Sequence, residues 1–464
     1  MSQFRLEGKL HIVYILKYIR YGIFLSLLPL LRVLLSWDLQ ALLLALWQDA
    51  AILLGMLVLA IAIWRQSSFR LEEDTFVLCQ GLFFRRKITV RTSQLAAVVL
   101  HRPLYLRVLG GTRVELHSAT CQPRVVQCHL SKRHAALLAE VLMPVEQDAV
   151  LYAPSGAERV RFTMLSANIL TTAALVLFSA RQTEKILGED VGQLLGQLAL
   201  DNLNRLEQLV ELILPAGIAW VATLVFTLWG IALFFSLLST SHFRVGRSGG
   251  IIHAKGGILN HSEQRIALAF LTYCDVRITP VARLMRCAPV YLQAGSYTTP
   301  LPLFMYKKGR EGLLQALVPG FCEVKKKSQR LLDRSLPQFF WKGGVVFLLS
   351  IALWAVSVWK LPQWSMMLLI PVVLGVGLLA VSLEGWLWES IFQLSAGVTC
   401  ACYTKAFTRH ECCILTQDFC LQTMQTPFTQ QVARCNLTLF LPSGEKLLIR
   451  NLKQYEAHKI RLTG

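Results

Sequence analysis

The residues best suited to chemistry are a group of cysteines near the C-terminus. Cys400, Cys402, Cys412 and Cys413, with His410 beside them, supply the soft ligands that Zn²⁺ takes in tetrahedral sites. Their C-x-C and C-C spacing matches no zinc finger or ribbon, and adjacent residues of a strand point to opposite faces. We therefore expect reduced, buried thiols here, with neither a metal nor a cofactor.

No other motif predicts catalysis. The chain has no nucleophile elbow, Walker loop or H-E-x-x-H sequence, and Gly249-Gly250 and Gly256-Gly257 are typical of hairpin turns. Carboxylates are nearly absent from the long apolar segments, where Asp49, Glu211 and Glu384 lie towards segment ends. A proton-coupled transporter usually keeps an ionisable group near the membrane midplane. The sequence thus predicts no catalytic residue and argues against transport.

Three basic clusters are the candidates for a functional contact. We expect the first on a turn, the second at the start of a helix and the third leading into a membrane span. Anionic headgroups attract Lys and Arg by about 1 kcal/mol per residue near a leaflet. Ordinary positive-inside charge is the alternative for each cluster. The candidate lipid-binding residues are Arg85, Arg86, Lys87, Lys307, Lys308, Arg310, Lys325, Lys326 and Lys327.

Composition sets the class of protein. The 464 residues are 54% hydrophobic and only 16% charged, with a mean hydropathy of +0.48, which is too apolar for a soluble globular protein. Disordered, disulfide-stapled and collagen-like chains are excluded as well. A net charge of +19 would suggest nucleic acid in a soluble protein, but Lys and Arg accumulate in the cytoplasmic loops of membrane proteins. We therefore expect no nucleic-acid partner.

Six segments are long and apolar enough to cross a membrane, which takes about 20 residues. They form three hairpins, and the first segment is the weakest because Lys17, Arg20 and Arg32 lie within or beside it. The predicted spans are residues 12–35, 41–64, 162–180, 212–238, 339–359 and 365–383.

Charge predicts the orientation of these hairpins. With the N-terminus inside, the outer segments hold five basic and eight acidic residues, and the rest of the 47 basic and 28 acidic residues lie inside. The inside is then strongly positive, so both termini are predicted to be cytoplasmic. No signal-peptide cleavage site follows the first apolar stretch, so we expect it to stay as an anchor. In the outer segment 181–208, leucines at helical spacing predict an amphipathic helix on the outer surface, with extension of a span as the alternative.

The segments that follow the hairpins resemble one another. Phe69-Arg70-Leu71 recurs as Phe243-Arg244-Val245, displaced by 174 residues, and Arg107-Val108-Leu109 recurs as Arg283-Leu284-Met285, displaced by 176. A nearly constant offset indicates a duplication. A third, more diverged copy runs from about residue 391 to the end.

Inside each copy the periodicity is that of strands. In the first copy we predict strands over residues 75–79, 87–91, 96–101 and 113–116. Ser131 is placed to cap a helix over residues 132–142, in which Ala135, Leu138, Ala139 and Leu142 share one face. Each copy is therefore predicted to be an antiparallel β-structure closed by one C-terminal helix.

The chain also resembles a known family. The layout of two membrane helices, Phe-Arg-Leu, residues 81–86 (Gly-Leu-Phe-Phe-Arg-Arg) and residues 106–110 (Leu-Arg-Val-Leu-Gly) is similar to the bacterial pleckstrin-homology-like, membrane-flanked domain proteins of the YdbT type. The turn at Gly257-Ile258-Leu259 keeps the pattern, while Lys405-Ala406-Phe407 in the third copy departs from it. The resemblance implies a bacterial inner-membrane protein with cytoplasmic pleckstrin-like barrels, working beside a shorter one-domain paralogue.

We therefore expect integral membrane α-helical hairpins joined to cytoplasmic all-β or α+β pleckstrin-like barrels, repeated three times. The expected function is a non-enzymatic inner-membrane scaffold or lipid-facing assembly protein that contacts anionic headgroups and contributes to envelope stress resistance. A component of a transport or export system is the alternative, and a lipid-modifying enzyme is a third, weaker class. The predicted boundaries are hairpins at 1–66, 158–238 and 336–389 and pleckstrin-like domains at 67–147, 239–320 and 390–464.

Overall fold

A computed structural model of the chain forms two bodies, which are described separately. The first comprises Met1–Ala153, His242–Thr272 and Gln293–Pro300, and the second comprises the rest of the chain. The structure describes residues 6–16, 39–72, 74–82, 85–119, 125–146, 150–166, 189–212, 216–295, 297, 301–307, 309–322, 336–360, 365–393, 398–405, 408–416, 419–431, 433–442 and 444–454. Most of the predicted first and third spans lies outside these residues, as do Lys308 and Lys325 to Lys327.

The first body is built mainly of strands. In chain order its elements are β1 (Leu6–Lys9), α1 (Leu39–Gln66), β2 (Ser68–Glu72), β3 (Thr75–Gln80), β4 (Arg86–Arg91), β5 (Leu95–Pro103), α2 (Leu104–Val108), β6 (Gly111–Ser118), β7 (Val125–Ser131), α3 (Lys132–Leu142), β8 (Val150–Tyr152), β9 (Arg244–Ser248), β10 (Ile251–Gly256) and β11 (Asn260–Ala267). The four strands predicted in the first copy are thus confirmed as β3 to β6, with ends that differ by at most two residues.

One core joins β1–β4 to β5–β7. The two sets of strands belong to different sheets, and their alternate residues meet in a single cluster that includes Phe69, Phe76, Leu100 and Leu116, all at most 2% exposed. Helix α3 closes this core with Ala135, Leu138 and Ala139. The N-cap predicted at Ser131 is confirmed, because its side chain accepts a hydrogen bond from the backbone N–H of His134 at 3.3 Å.

The N-terminal segment contributes to this core, which differs from the predicted hairpin over residues 1–66. Strand β1 pairs with β2, and Leu10 and Tyr14 are buried in the core. The indole N–H of Trp64, at the end of α1, donates to the carbonyl of Leu10 at 2.7 Å. The hydropathy pattern did not predict this contribution, because residues 12–16 were assigned to the beginning of the first apolar span.

The second body combines strands with long apolar helices. Its elements are α4 (Gly156–Ser166), α5 (Glu189–Glu211), α6 (Ala216–Ser239), most of β12 (Leu271–Ile278), α7 (Pro280–Leu284), most of β13 (Ala288–Ala294), β14 (Leu301–Tyr306), α8 (Glu311–Leu317), α9 (Leu336–Lys360), α10 (Ser365–Trp388), β15 (Ser390–Gln393), β16 (Thr399–Lys405), β17 (Thr408–Ile414), β18 (Cys420–Met424), α11 (Pro427–Gln431), β19 (Arg434–Phe440) and β20 (Lys446–Lys453).

Three described helices are long and apolar enough to cross a membrane. They are Ala222–Ser239 in α6, Phe339–Lys360 in α9 and Leu368–Trp388 in α10, in the places of the predicted fourth, fifth and sixth spans. Within α1, Ala50–Gln66 is a shorter apolar helix. Helix α5 confirms a helix in the segment from which an amphipathic helix was predicted.

The sheets run across the predicted domain boundaries. Their strand orders are β1-β2-β3-β4, then β7-β6-β5-β11-β10-β9-β8, then β14-β13-β12-β17-β16-β15, and β18-β19-β20. Strand β5 of the first copy therefore pairs with β11 of the second, and β12 of the second pairs with β17 of the third. Discrete barrels were expected, and the structure instead shares a sheet at each of these two junctions.

The two junctions have the same antiparallel register. Ala97 lies opposite Ile266 in the first, and Tyr273 lies opposite Ile414 in the second. Residues 97 and 273 are separated by 176 positions, as are the starts of β2 and β9, of β3 and β10, and of α2 and α7. Hydrogen-bonded ladders of the same kind thus recur along the chain.

Candidate lipid-facing surfaces and strand edges

Helix α2 presents an exposed apolar surface. It follows Pro103, whose extended backbone ends β5, and it stops before Gly110, which adopts a positive φ of 72°. Leu106 is buried and anchors the helix, whereas Val108 is 86% exposed and Tyr105 is 59% exposed. Leu104 and Leu109 are about half exposed.

The β10–β11 turn extends this surface. The Arg107 guanidinium Nη1 donates to the carbonyl oxygen of Ile258 at 2.8 Å, and the Ile258 side chain is exposed. This contact is possible because β11 pairs with β5, which brings the turn of one copy beside the short helix of another. We call Leu104, Tyr105, Val108, Leu109 and Ile258 the first apolar patch.

Helix α7 presents a corresponding surface in the second body. The Thr279 hydroxyl caps the helix by accepting from the backbone N–H of Ala282 at 3.1 Å, and Ala282 is the buried anchor. Leu284 is 84% exposed and Val281 is about half exposed. We call Val281 and Leu284 the second apolar patch.

The second patch lies beside the end of a candidate span. The Arg283 guanidinium forms a salt bridge with the Glu384 carboxylate, in the last turns of α10. Arg409 also approaches Glu384, at 3.7 Å, and its guanidinium lies 4.0 Å from the ring centroid of Trp388, the last residue of α10. Trp at the end of a span is typical of the membrane–water interface. Helix α7 therefore lies beside the end of a helix that is long and apolar enough to span a membrane.

The predicted basic clusters fall into two groups. Arg85, Arg86 and Lys87 are exposed, and Arg86 and Lys87 begin β4 instead of lying on a turn. Lys307 and Arg310 precede α8, which starts at Glu311, and both contact the buried Glu158 carboxylate of α4, at 3.3 and 2.6 Å. Lipid binding by these clusters stays a prediction, and the second cluster already has a protein partner.

The Glu158 carboxylate is tuned by that contact. Burial favours its protonated form, but the backbone N–H of Ser155, the Lys307 ammonium and the Arg310 guanidinium outweigh burial and lower its pKa to about 2. The carboxylate therefore stays ionised through the physiological range, tying α4 to the segment before α8.

The cysteines predicted as buried thiols occupy both faces of β16 and β17. Cys400 lies opposite Cys413, with a sulfur–sulfur distance of 3.8 Å, while Cys412 points into the core of the second body. Burial raises the pKa of Cys412, and the hydrogen bond to Cys413 together with burial raises the pKa of Cys400. Within the part of the chain that the structure describes, no group of His, Cys, Asp or Glu is arranged to hold a metal ion.

Each junction contains a buried polar group that sequence reasoning missed. In the first, Arg265 on β11 contacts Glu263, Glu140 and two carbonyls at the end of α3. In the second, Asp275 on β12 contacts His410 of β17 and Arg277. Neither had a motif, because the partners that identify each group lie far along the chain: Glu140 is 125 residues from Arg265, and His410 is 135 residues from Asp275. The apolar patches did leave a signal, namely apolar residues on a short helix between Pro103 and Gly110.

Two strand edges differ from those at the junctions. At the junctions, β5 and β12 each have six consecutive buried residues, from Leu95 and from Leu271. Strand β18, which follows β17 as β12 follows β11, has four exposed residues out of five. Among the described strands β18 pairs with β19 alone, and β4 pairs with β3 alone. One edge at each end of the series of sheets therefore has no described neighbour.

Comparison with known proteins supports the fold of the first copy. Residues 14–144 match the family described as bacterial PH domain. This range covers α1, strands β2 to β7 and the closing helix α3. No curated protein and no solved structure matches the chain.

Proposed function

We propose that this protein is a bacterial inner-membrane scaffold whose PH-like sheets are held against the inner leaflet. The observation that carries the proposal is the salt bridge from Arg283 of α7 to Glu384 at the end of α10. It fixes an exposed apolar helix beside the end of a helix that is able to span a membrane. The three-repeat organisation, with both termini cytoplasmic, belongs to this proposal.

The composition of the two patches supports lipid as the contact. Each has one largely exposed aliphatic side chain, Val108 or Leu284, next to an arginine of the same short helix, which is the combination that buries apolar surface at the headgroup boundary while keeping positive charge nearby. Contiguous exposed apolar residues on a soluble domain mark an interaction surface. Arg85, Arg86 and Lys87 remain the candidate residues for additional headgroup contacts.

The described spans support a structural task over transport. The polar residues within α6 and α9 bond to their own helices: Thr223 donates to the carbonyl of Ala219, Ser350 to that of Val346 and Ser357 to that of Trp354. The window Ala222–Ser239 contains no charged residue at all. These hydroxyl groups are thus satisfied within their own helices, and the ionisable residues of the candidate spans, Lys342, Lys360 and Glu384, lie near span ends and not at the middle where an ion path would need them.

The test measures the depth of the two patches in a bilayer. Val108→Cys and Leu284→Cys are made separately in the full chain, labelled with an environment-sensitive fluorophore and placed in nanodiscs that contain nitroxide-quencher lipid. The matched control is Leu137→Cys, because Leu137 is exposed and aliphatic but lies on the closing helix α3. The background carries Cys420→Ser, since Cys420 is an exposed native thiol.

We expect lipid quenching at positions 108 and 284 and none at 137. Replacing Arg85, Arg86 and Lys87 together by Gln should weaken quenching at 108 when anionic lipid is present, and the effect should shrink at high salt. Equal quenching at all three labelled positions, or none at 108 and 284, would overturn the lipid-facing proposal.

A further inference from the structure

In the part of the chain that the structure describes, one kind of strand pairing occurs twice, and the pattern is open at both ends. Each copy has a first set of strands (β1–β4, β8–β11 or β15–β17) and a second set (β5–β7, β12–β14 or β18–β20). At each junction, the first strand of one copy's second set pairs with the last strand of the next copy's first set, as β5 with β11 and β12 with β17. Strand β4 is the last strand of the first copy's first set, and β18 is the first strand of the third copy's second set. Each strand thus corresponds to a strand that pairs across a junction, but among the described strands neither has a partner from another copy.

We propose that β18 of one chain pairs with β4 of a second copy, in the register of the internal junctions. The inference rests on the proposed scaffold function for its purpose, while its geometry comes from the two junctions alone. Main-chain hydrogen bonds along the added strand would supply affinity, as in other cases of β-strand addition.

The register follows from the displacements along the chain. Residues 98 and 265 face each other in the first junction, and residues 274 and 413 face each other in the second, where both are cysteines. Thr89 of β4 corresponds to Arg265 of β11, which lies 176 residues later. Gln422 of β18 corresponds to Cys274 of β12, which lies 148 residues earlier, and the same 148 residues separate Arg265 from Cys413. Thr89 should therefore lie opposite Gln422 of the second copy, and Lys87 opposite Met424.

Charge selects this pairing over its alternatives. Strand β4 with the residue before it carries Arg85, Arg86, Lys87 and Arg91, all exposed, so two β4 edges repel each other. Strand β18 carries no charged residue, and Met424 is 63% exposed at its end. An uncharged, exposed edge is the kind that accepts another strand, and the basic edge is protected against copies of itself.

The partner contact is directional, because the two edges belong to different copies of the repeat. Such heterologous contacts form rings when the rotation closes and open chains when it does not. The bilayer holds every copy in one orientation, which restricts the search for the matching edge to two dimensions.

The experiment uses disulfide trapping between two differently tagged full-length chains in membranes, both in the Cys420→Ser background. One chain carries Thr89→Cys and the other carries Gln422→Cys, at the positions that match the Cys413 and Cys274 pair. Facing strand residues have Cα atoms close enough for a disulfide. The out-of-register control replaces Gln422→Cys with Thr423→Cys, whose side chain points to the opposite face.

We expect a mixed-tag dimer from Thr89→Cys with Gln422→Cys, and only background from the Thr423→Cys control and from either single variant alone. Two further variants sharpen the result. Met424→Glu, opposite Lys87, should raise the yield, and Met424→Lys should lower it, each by about two- to fivefold.

Three results would overturn the inference: no mixed-tag dimer, equal trapping by the Thr423→Cys control, or dimers from Gln422→Cys alone, which would indicate pairing of β18 with itself. The lipid-quenching experiment is independent of this one. No trapping together with normal quenching would contradict the strand pairing between copies and leave the lipid-facing proposal standing. Normal trapping without quenching would contradict the lipid-facing proposal and leave the pairing standing.

Discussion

The two junctions, β5–β11 and β12–β17, share a register and differ in the polar group that stabilises them. In the first, Arg265 Nη1 donates to the carbonyls of Ala139 and Met143, at 3.1 and 2.7 Å, and to the Glu140 carboxylate at 3.0 Å. The arginine of one copy thereby donates to two carbonyls at the C-terminal end of another copy's closing helix, where intrahelical donors run out. The Ala139 carbonyl also accepts from the Met143 N–H.

The second junction uses an acid where the first uses a base. Asp275 accepts from Arg277 Nε at 2.9 Å and lies 2.9 Å from His410 Nδ1, while the His410 ring stacks on Tyr403 with centroids 4.7 Å apart. Since the register is the same in both, the polar partners do not set it. The buried apolar faces of the strands set the register, and different polar partners then satisfy the buried polar groups at each junction.

The largest expected effect is the loss of Arg265. Arg265→Met should destabilise the first body by about 3 kcal/mol, because two helix-end carbonyls and Glu263 lose a charged donor that is almost fully buried. The measurement is the alkylation rate of the buried Cys128 thiol in the full chain, read by peptide mass spectrometry.

Glu140→Gln is the control for that variant, because the Glu140 side chain is 55% exposed and water can replace its ion pair. It should change the Cys128 rate little. A similar rate for Arg265→Met and Glu140→Gln would show that the carbonyl contacts add nothing and that the surface pair alone matters.

Gly295 gives the next largest effect and bears on the first junction alone. Its φ is +48°, and a Cβ there would lie 2.6 Å from Ala96 Cβ and 2.9 Å from Ala119 Cα. Gly295→Ala should therefore cost about 2 kcal/mol through strain and overlap against β5. Cys128 should react faster while Cys412, in the second body, should not.

Gly250→Ala is the matched control, since a Cβ at Gly250 has no neighbour within 4 Å and needs no left-handed backbone. It should leave both thiols protected. Equally increased alkylation of Cys128 and Cys412 in Gly295→Ala would mean that the two bodies unfold together. The stability of the first junction could then not be measured separately from that of the second.

Local patterns predicted the elements of the first copy, and pairing between copies was beyond them. Alternating apolar residues and Ser131 located β3 to β6 and α3, because these signals act over a few residues. The β5–β11 pairing joins Ala97 to Ile266, and no periodicity encodes which of several similar strands becomes a neighbour. Both faces of β5 are buried, and its unbroken apolar run was the one trace of a strand inside a larger sheet.

The candidate surfaces were predicted only in part, again because a sequence shows local patterns and not long-range contacts. Basic clusters are visible in a sequence, but Glu158, which binds Lys307 and Arg310, lies about 150 residues away. The apolar patches depend on burial, which the sequence does not show. Leu106 and Val108 are both aliphatic residues of α2, but only the fold shows that Leu106 is buried and Val108 is exposed.

Asp275 provides a smaller effect, confined to the second junction. Asp275→Asn should cost about 1.5 kcal/mol, because the amide keeps the shape but loses the charge that faces Arg277 and His410. Alkylation of Cys274 and Cys413, which face each other across this junction, should increase, while that of Cys128 should not. Arg277→Gln is the milder comparison, since the Arg277 side chain is 30% exposed. A larger effect from Arg277→Gln would contradict the assignment of the buried acid as the main contact.

The smallest effect compares the closing helices of the two bodies, α3 and α8. The Ser131 hydroxyl caps α3, whereas α8 has no side-chain cap and the residues before it, Lys307 and Arg310, bind Glu158. Ser131→Ala and Glu158→Gln should each cost about 1 kcal/mol at neutral pH, since the two basic partners of Glu158 are partly exposed.

Acid should separate these two variants. The folded pKa of Glu158, about 2, lies below its ordinary value of 4.5, so its contribution to stability is complete above pH 4.5 and is lost as the pH falls towards 2. The gap between the wild type and Glu158→Gln should therefore narrow between pH 4.5 and 3, while the gap for Ser131→Ala should stay constant because a hydroxyl does not titrate there. The measurement is thermal unfolding of the full chain in detergent, followed by tryptophan fluorescence at pH 7, 4.5 and 3. A constant gap for Glu158→Gln would show that the two bases hold the segment before α8 without help from the ionised carboxylate, so that the two closing helices would differ in sequence but not in how they respond to acid.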